Sequence, residues 1–317
     1  MKLPSFLRTP PPHVAVEIAP TRVVAVAVSG TGTSGVKVTG WAVEPLPAGA
    51  VVPSLTAVNV TRPADVSAAI ERAWGQLGQR PKRVALIVPD AAAKVSLVRF
   101  QAVPPKASDL EELIKFQIRK AAPFRVEDSQ VSYAPSGRSA DGQDYVVVQA
   151  RRDIIMEYEQ ACLATGATPG IVELTTFGLS QCALAAGGDL TGDWLLIHAR
   201  PDGATLAIFR GEHLVFFRHR GADGDGHLGE LVHQTAMYYQ DRLGGRGFSR
   251  VLAGGTPASV LLTSPAWLDI QARLGVRAEE VGPGPDVTVA SRAPWTPDTM
   301  EMATPALGLA LSMCAEG

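Results

Sequence analysis

Two segments far apart in the chain follow one plan: an apolar strand, a turn, and a second apolar strand. The first is Val14-Ala15-Val16-Glu17-Ile18-Ala19-Pro20-Thr21, followed by the apolar run Val23 to Val28. The second is Leu195-Leu196-Ile197-His198-Ala199-Arg200-Pro201-Asp202-Gly203, followed by Ala204 to Phe209. A turn that grips phosphate needs small residues, so that backbone N–H groups close on the anion, and usually an Asp to hold water or Mg²⁺. The small positions here carry Ala19-Pro20 and Arg200-Pro201. Proline has no N–H to offer. The pattern predicts two α/β halves whose opening turns are poor anion cradles.

The rest of the chain can be read around these two hairpins. Val36–Val43 extends the first pair of strands, and a helix with Val66, Ile70, Trp74 and Leu77 on one face follows, entered at Asp65 and ended by Gly78. Val84–Val88 is a short buried strand stopped by Pro89-Asp90. A different unit then begins: strand Val95–Phe100, a helix opened by the capping-box sequence Ser108-Asp109-Leu110-Glu111, a hairpin of Val131–Tyr133 with Tyr145–Gln149, and a helix capped by Asp153 and closed by Gly166. Strand Ile171–Leu174 and helix Phe177–Ala186 return to the first half. The second half runs through strands Trp194–His198, Ala204–Phe209 and His213–His219 and a helix His227–Leu243. Strand Ser249–Ala253, the turn Gly254-Gly255-Thr256-Pro257, helix Ser259–Ile270 and a last helix Pro305–Cys314 complete it. The expected division is a tail over 1–12, a first lobe over 13–92 and 170–190, an inserted α/β subdomain over 93–169, and a second lobe over 191–317.

Bulk properties exclude several classes. With 46% apolar and 19% charged residues, the chain reads as soluble and globular, and a net charge of −2 without basic blocks argues against nucleic acid as a partner. Cys162, Cys182 and Cys314 are too few and too widely spaced for a disulfide framework or a metal knuckle, which favours a reducing compartment. No apolar run reaches the ~18 residues that a membrane span needs. Met1 to Arg8 reads as a frayed terminus rather than a signal peptide, with Leu3, Phe6 and Leu7 able at most to touch a membrane surface.

The ordered set of motifs resembles a family. Val84–Lys120 with the exit Pro123-Phe124, the strand Tyr145-Val146-Val147-Val148-Gln149-Ala150-Arg151-Arg152, the stretch Ala164 to Glu173, and Val251-Leu252-Ala253-Gly254-Gly255-Thr256 together look like PilM, the actin-like protein of type IV pilus assembly related to FtsA. The resemblance implies an actin-like (RNase H-like) two-lobed α/β fold with an FtsA/PilM-type insert in the first lobe. It also implies a cytoplasmic location at the inner face of the inner membrane. The expected partner is a PilN-like bitopic inner-membrane protein, whose N-terminal tail would lie in a groove beside the insert and provide peripheral membrane association; self-association is a further possibility.

Two departures separate this chain from that pattern. The family's D-I-G phosphate turns are Glu17-Ile18-Ala19 and His198-Ala199-Arg200 here. The second lobe passes from its hairpin to its long helix through Gly221–Gly226 alone, too short for the helical subdomain the family places there. The expectation is therefore a reduced second lobe and a vestigial nucleotide cleft formed by Glu17, Ala19, Thr21, His198, Arg200, Gly254, Gly255 and Thr256, with no catalytic residue and no cofactor. Arg200 is expected to fill the space of ATP by pairing with Glu17. The competing readings are an ATP-binding, Mg²⁺-dependent actin-like ATPase of the same machinery and a GspL-like cytoplasmic domain of type II secretion.

Other chemistry is weaker still. His213 and His219 share strand parity but stand about 20 Å apart, too far for one ion. Asp223-Gly224-Asp225-Gly226 lacks the later acidic ligands of a calcium loop. Gly254-Gly255-Thr256 could approach a ribose or phosphate closely, or could be a plain strand-to-helix turn.

Overall fold

The computed structural model describes residues 12–30, 35–139, 141–187, 191–222, 228–285, 287–290 and 296–316. The N-terminal segment Met1 to Arg8, the Asp223-Gly224-Asp225-Gly226 turn and His227 lie outside them. Along the chain the elements are β1 (Val14–Ala19), β2 (Arg22–Ser29), β3 (Lys37–Pro45), α1 (Pro63–Leu77) and β4 (Arg83–Val88), then β5 (Ala93–Phe100), α2 (Ala107–Ile118), β6 (Ser129–Ser139), β7 (Gly142–Arg151) and α3 (Arg152–Leu163). They continue with β8 (Thr168–Leu174), α4 (Thr175–Ala185), β9 (Asp193–Arg200), β10 (Gly203–Arg210), β11 (His213–Gly221), α5 (Leu228–Leu243), β12 (Arg250–Gly254), α6 (Ala258–Thr263), α7 (Pro265–Leu274), β13 (Ala278–Glu280), β14 (Thr288–Val289) and α8 (Pro297–Glu316).

The two sequence hairpins seed two sheets of the same order. One runs β14-β3-β2-β1-β4-β8 and the other β11-β10-β9-β12-β13. In each, an antiparallel three-strand meander is followed by two parallel strands. Every residue of β1 is buried, so its sheet needs cover on both faces. Helices α1 and α3 provide one layer and α4 and α8 the other. In the second sheet, strand alternation divides the labour. Leu195 and Ile197 pack with Leu231, Tyr239, Trp267 and Ile270 of α5 and α7, while Trp194 and Leu196 join the core shared with the first sheet.

Helices α4 and α8 approach closely because glycines face each other. A Cβ on Gly308 would stand 1.9 Å from the Gly178 carbonyl oxygen, and one on Gly178 would stand 2.5 Å from that of Pro305. A third sheet, β5-β7-β6, carries its own apolar cluster with α2, centred on Ile114, Ile118 and Val147. Among the described residues, no helix is long and apolar enough to cross a membrane.

Several local expectations need correction. Asp65, Ser108 and Asp153 do not cap their helices but lie inside the first turns. Pro63 opens α1 and Asp65 pairs with Arg62 at 2.5 Å; Ser108 bonds Asp109; Asp153 pairs with Arg151. Acidic groups still favour that end of a helix electrostatically, which explains their placement. The single helix expected over Ser259–Ile270 is two, because Pro265 forces Ser264 out of the helical region. The last helix begins at Pro297, with Pro305 inside it rather than at its start. Between the end of β11 at Gly221 and the start of α5 at Leu228 the chain is too short to form a helical subdomain.

Candidate functional site

Register places the first group of side chains. Ala19 pairs with Arg22 across β1–β2, and Arg200 pairs with Gly203 across β9–β10. Both connections are thus two-residue turns, Pro20-Thr21 and Pro201-Asp202, at equivalent places in the two sheets. Alternation then aims Glu17 of β1 and His198 and Arg200 of β9 into the space between the sheets, opposite the N-terminus of α4.

Arg200 crosses that space. Its Nη1 lies 3.0 Å from Oε1 of the fully buried Glu17, and its side chain is itself only 10% exposed. Thr175, at the start of α4, donates its hydroxyl to Glu17 Oε1 at 3.3 Å. Burial opposes the charge on Arg200, but Glu17 and Glu301 more than compensate and raise its pKa. Arg22 experiences the reverse: burial and the neighbouring Arg200 lower its pKa, with Glu17 and Glu301 opposing. An arginine remains charged in either case.

A second cluster centres on Asp90, in the short turn after β4. Its Oδ1 accepts the Thr176 N–H at 3.0 Å, so this carboxylate supplies the N-terminal cap that α4 lacks locally. Its Oδ2 accepts from the hydroxyls of Thr176 at 2.5 Å and Thr205 at 2.7 Å, and lies 3.2 Å from His198 Nδ1. Thr205 spends its proton on Asp90, so the contact at 2.9 Å makes His219 Nδ1 the donor to Thr205 Oγ1. Burial alone would raise the Asp90 pKa; the hydrogen bond and charge of His198 and two bonds from Thr176 outweigh it and hold the carboxyl well below its usual range. Burial lowers the pKa of His219, partly offset by Asp90.

Asp90, in the turn after β4, and Thr176 of α4 belong to the first half, whereas His198, Thr205 and His219 belong to the second sheet. The network therefore ties the two halves together. Glu17 Oε2, Arg22 Nε, Arg200 Nε and Nη2, His198 Nε2, His219 Nε2 and Glu301 Oε1 are buried without a protein partner among the described residues. Water is the smallest molecule that would satisfy them.

The remaining expected site residues are distributed differently. Ala19 is buried at the end of β1, and Thr21 is exposed in the turn, where its carbonyl accepts from Leu46 N at 2.8 Å. Gly254 ends β12 and Gly255 follows it, both under tight packing. A Cβ on Gly254 would meet Leu179 of α4 at 2.6 Å, and one on Gly255, at φ +77°, would meet the Ala199 carbonyl oxygen at 2.5 Å. Their smallness thus admits α4 and β9. Thr256 is buried beside them. Sequence reasoning overlooked Asp90, Thr176 and Thr205; the signal available was a polar pair, Thr175-Thr176, directly after an apolar strand.

A second place has a different character. A cavity of about 560 Å³ opens between the sheet of β5–β7, the first sheet and the second sheet. Val146 and Val148 of β7, Val172 of β8, Phe177 and Leu184 of α4, and Leu214 of β11 are among its walls. Strands β6 and β8, which end their sheets, both border it. The Ser136 hydroxyl donates to the Leu214 carbonyl at 2.9 Å and joins β6 to β11. No group of three or more His, Cys, Asp or Glu residues suited to a metal occurs among the described residues.

A family model described as type IV pilus assembly protein PilM matches residues 15–241. A solved PilM-PilN type IV pilus biogenesis complex is similar in structure, with a TM-score of 0.75 and 17% identity, covering 96% of this chain and 97% of that one. A protein of actin-like ATPase fold and unknown function from Bacteroides thetaiotaomicron gives a TM-score of 0.51 at 7% identity, covering 98% and 99% of the two chains. The cytoplasmic domain of EpsL, an inner membrane component of the type II secretion system of Vibrio cholerae, gives 0.50 at 12% identity, covering 93% and 94%. These likenesses show an actin-like fold. Comparison with curated protein sequences gives no match.

Proposed function

The chain belongs to the family of the type IV pilus assembly protein PilM, and from that premise we propose that it is a non-enzymatic scaffold holding an extended segment of a PilN-like inner-membrane protein. The segment lies in the cavity between β6, β8 and α4, which brings the protein to the cytoplasmic face of the inner membrane. One observation carries this reading: the sheet-ending strands β6 and β8 border an apolar cavity of about 560 Å³. Unpaired strand edges offer main-chain hydrogen bonds to an extended peptide, and apolar walls take its alternate side chains. An ordering cost accompanies such binding, so micromolar affinity is expected.

The space between the sheets supports the non-enzymatic part of the reading. A Mg²⁺-triphosphate needs a run of free N–H donors and room for anionic oxygens. The two-residue turns contain Pro20 and Pro201, Arg200 spans the gap to Glu17, and Leu179 occupies the space over Gly254. These residues do not fit that group. What they do instead is fasten the two halves, which keeps the cavity walls in fixed relation.

Titration of a PilN-like cytoplasmic tail peptide into the protein tests the proposal. Val148→Asp places a carboxylate on the cavity wall and is expected to weaken binding by at least ~2 kcal/mol, whereas Met237→Asp, at a half-exposed position on α5, is expected to leave it unchanged. Equal affinity of both variants, each folded by circular dichroism, would place the partner elsewhere.

A further inference from the structure

We propose that Glu173 selects a positively charged side chain, lysine or arginine, in the peptide that fills the cavity. This rests on the reading of the cavity as a peptide site and adds the chemistry of one of its subsites. Glu173 lies on β8, within the wall. The ionisable groups lining the cavity are Tyr133, Glu173, Glu212 and His213, with no lysine or arginine among them. A carboxylate has been placed on an apolar wall without a cation to match it. One of its oxygens, Oε1, accepts the Leu174 N–H at 3.0 Å, which fixes the carboxyl against its own strand. Burial, with Asp90 adding to it, raises the pKa of Glu173 to about 7.

The groups on neighbouring elements do not neutralise it. The turn after β4 brings Asp90, which is engaged with Thr176, Thr205 and His198. Helix α4 contains no charged residue. On α3, Arg152 donates to the Ser129 carbonyl, Asp153 pairs with Arg151, and Glu157 accepts from the N–H groups of Asn59 and Val60; Glu159 adds only negative charge. Strand β4, paired with β8, brings Arg83, whose guanidinium lies against Gly170, three residues along β8 from Glu173. Tyr133 on β6 and Glu212 and His213 at the β10–β11 turn also border the cavity. Charge complementarity therefore favours a cationic ligand group. Such a group would bind the ionised carboxylate, so binding would be coupled to loss of the Glu173 proton.

Calorimetry with leucine-rich octapeptides carrying one lysine at each position in turn, each beside its norleucine counterpart, tests this. The His213→Gln background leaves no histidine among the groups that line the cavity. At pH 8 the best-placed lysine is expected to bind at least about tenfold tighter than norleucine, as a charge-assisted contact should. The advantage should shrink as pH falls from 8 to 6 and Glu173 takes up its proton. Glu173→Gln, which keeps an acceptor for Leu174, should abolish both the advantage and its pH dependence while leaving norleucine peptides unaffected. The inference is overturned if lysine is no better at any position, if its advantage survives Glu173→Gln, or if it grows towards acid pH, which would make Glu173 a neutral hydrogen-bond donor. If neither kind of peptide binds, the peptide reading of the cavity fails, and this one with it.

Discussion

At the scale of single residues, the ion pair of Glu17 and Arg200 determines what the space between the sheets can hold. Glu17 is fully buried, and its closest cationic contact is Arg200 at 3.0 Å. A buried pair contributes little over an apolar replacement, but removing one member leaves an uncompensated charge. Arg200→Met is therefore expected to lower stability by about 3–5 kcal/mol, and the double variant Glu17→Leu with Arg200→Met to recover most of that loss, both read from urea unfolding. Additive losses in the double variant would show that the two side chains are not coupled. This pairing was legible in the sequence, because a buried-strand glutamate and an arginine occupied equivalent turns of two matching hairpins. The Asp90 network was not legible. Its members come from the turn after β4 and from α4, β9, β10 and β11, and only the fold brings them together.

At the scale of elements, helix packing explains both what the sequence reveals and what it hides. The strands of the two meanders and the amphipathic face of α1 follow from periodicity, since burial on one or both faces imposes it. The three-residue β13 and two-residue β14 carry no period of their own and owe their conformation to the strands they pair with. The first two turns of α8 escaped notice because Pro305 resembles a helix start, yet a proline is tolerated inside where neighbouring packing holds the helix. The helix pair α4–α8 depends on glycine at the crossing. Gly308→Ala should cost at least ~2 kcal/mol, because its methyl would overlap the Gly178 backbone. Gly75→Ala in α1, where nothing lies within 4 Å of the added carbon, should instead stabilise by about 0.5–1 kcal/mol. Thermal or urea unfolding reads both, and the account of the crossing requires the opposite signs.

At the scale of the whole molecule, an actin-like fold presents two clefts, and the side chains give them different fates. Between the two repeated sheets, charged and hydroxyl groups of one half bond those of the other, and proline-bearing two-residue turns close the opening strand pairs. Beside the third sheet, an apolar cavity stays open with the sheet-ending strands β6 and β8 at its border. The central claim is that the first cleft joins the halves and leaves binding to the second. Calorimetric titration of Mg·ATP into the protein tests this most directly. The account predicts no binding tighter than about 1 mM, equivalent to roughly −4 kcal/mol, with or without Mg²⁺. A Mg²⁺-dependent dissociation constant in the micromolar range would contradict it.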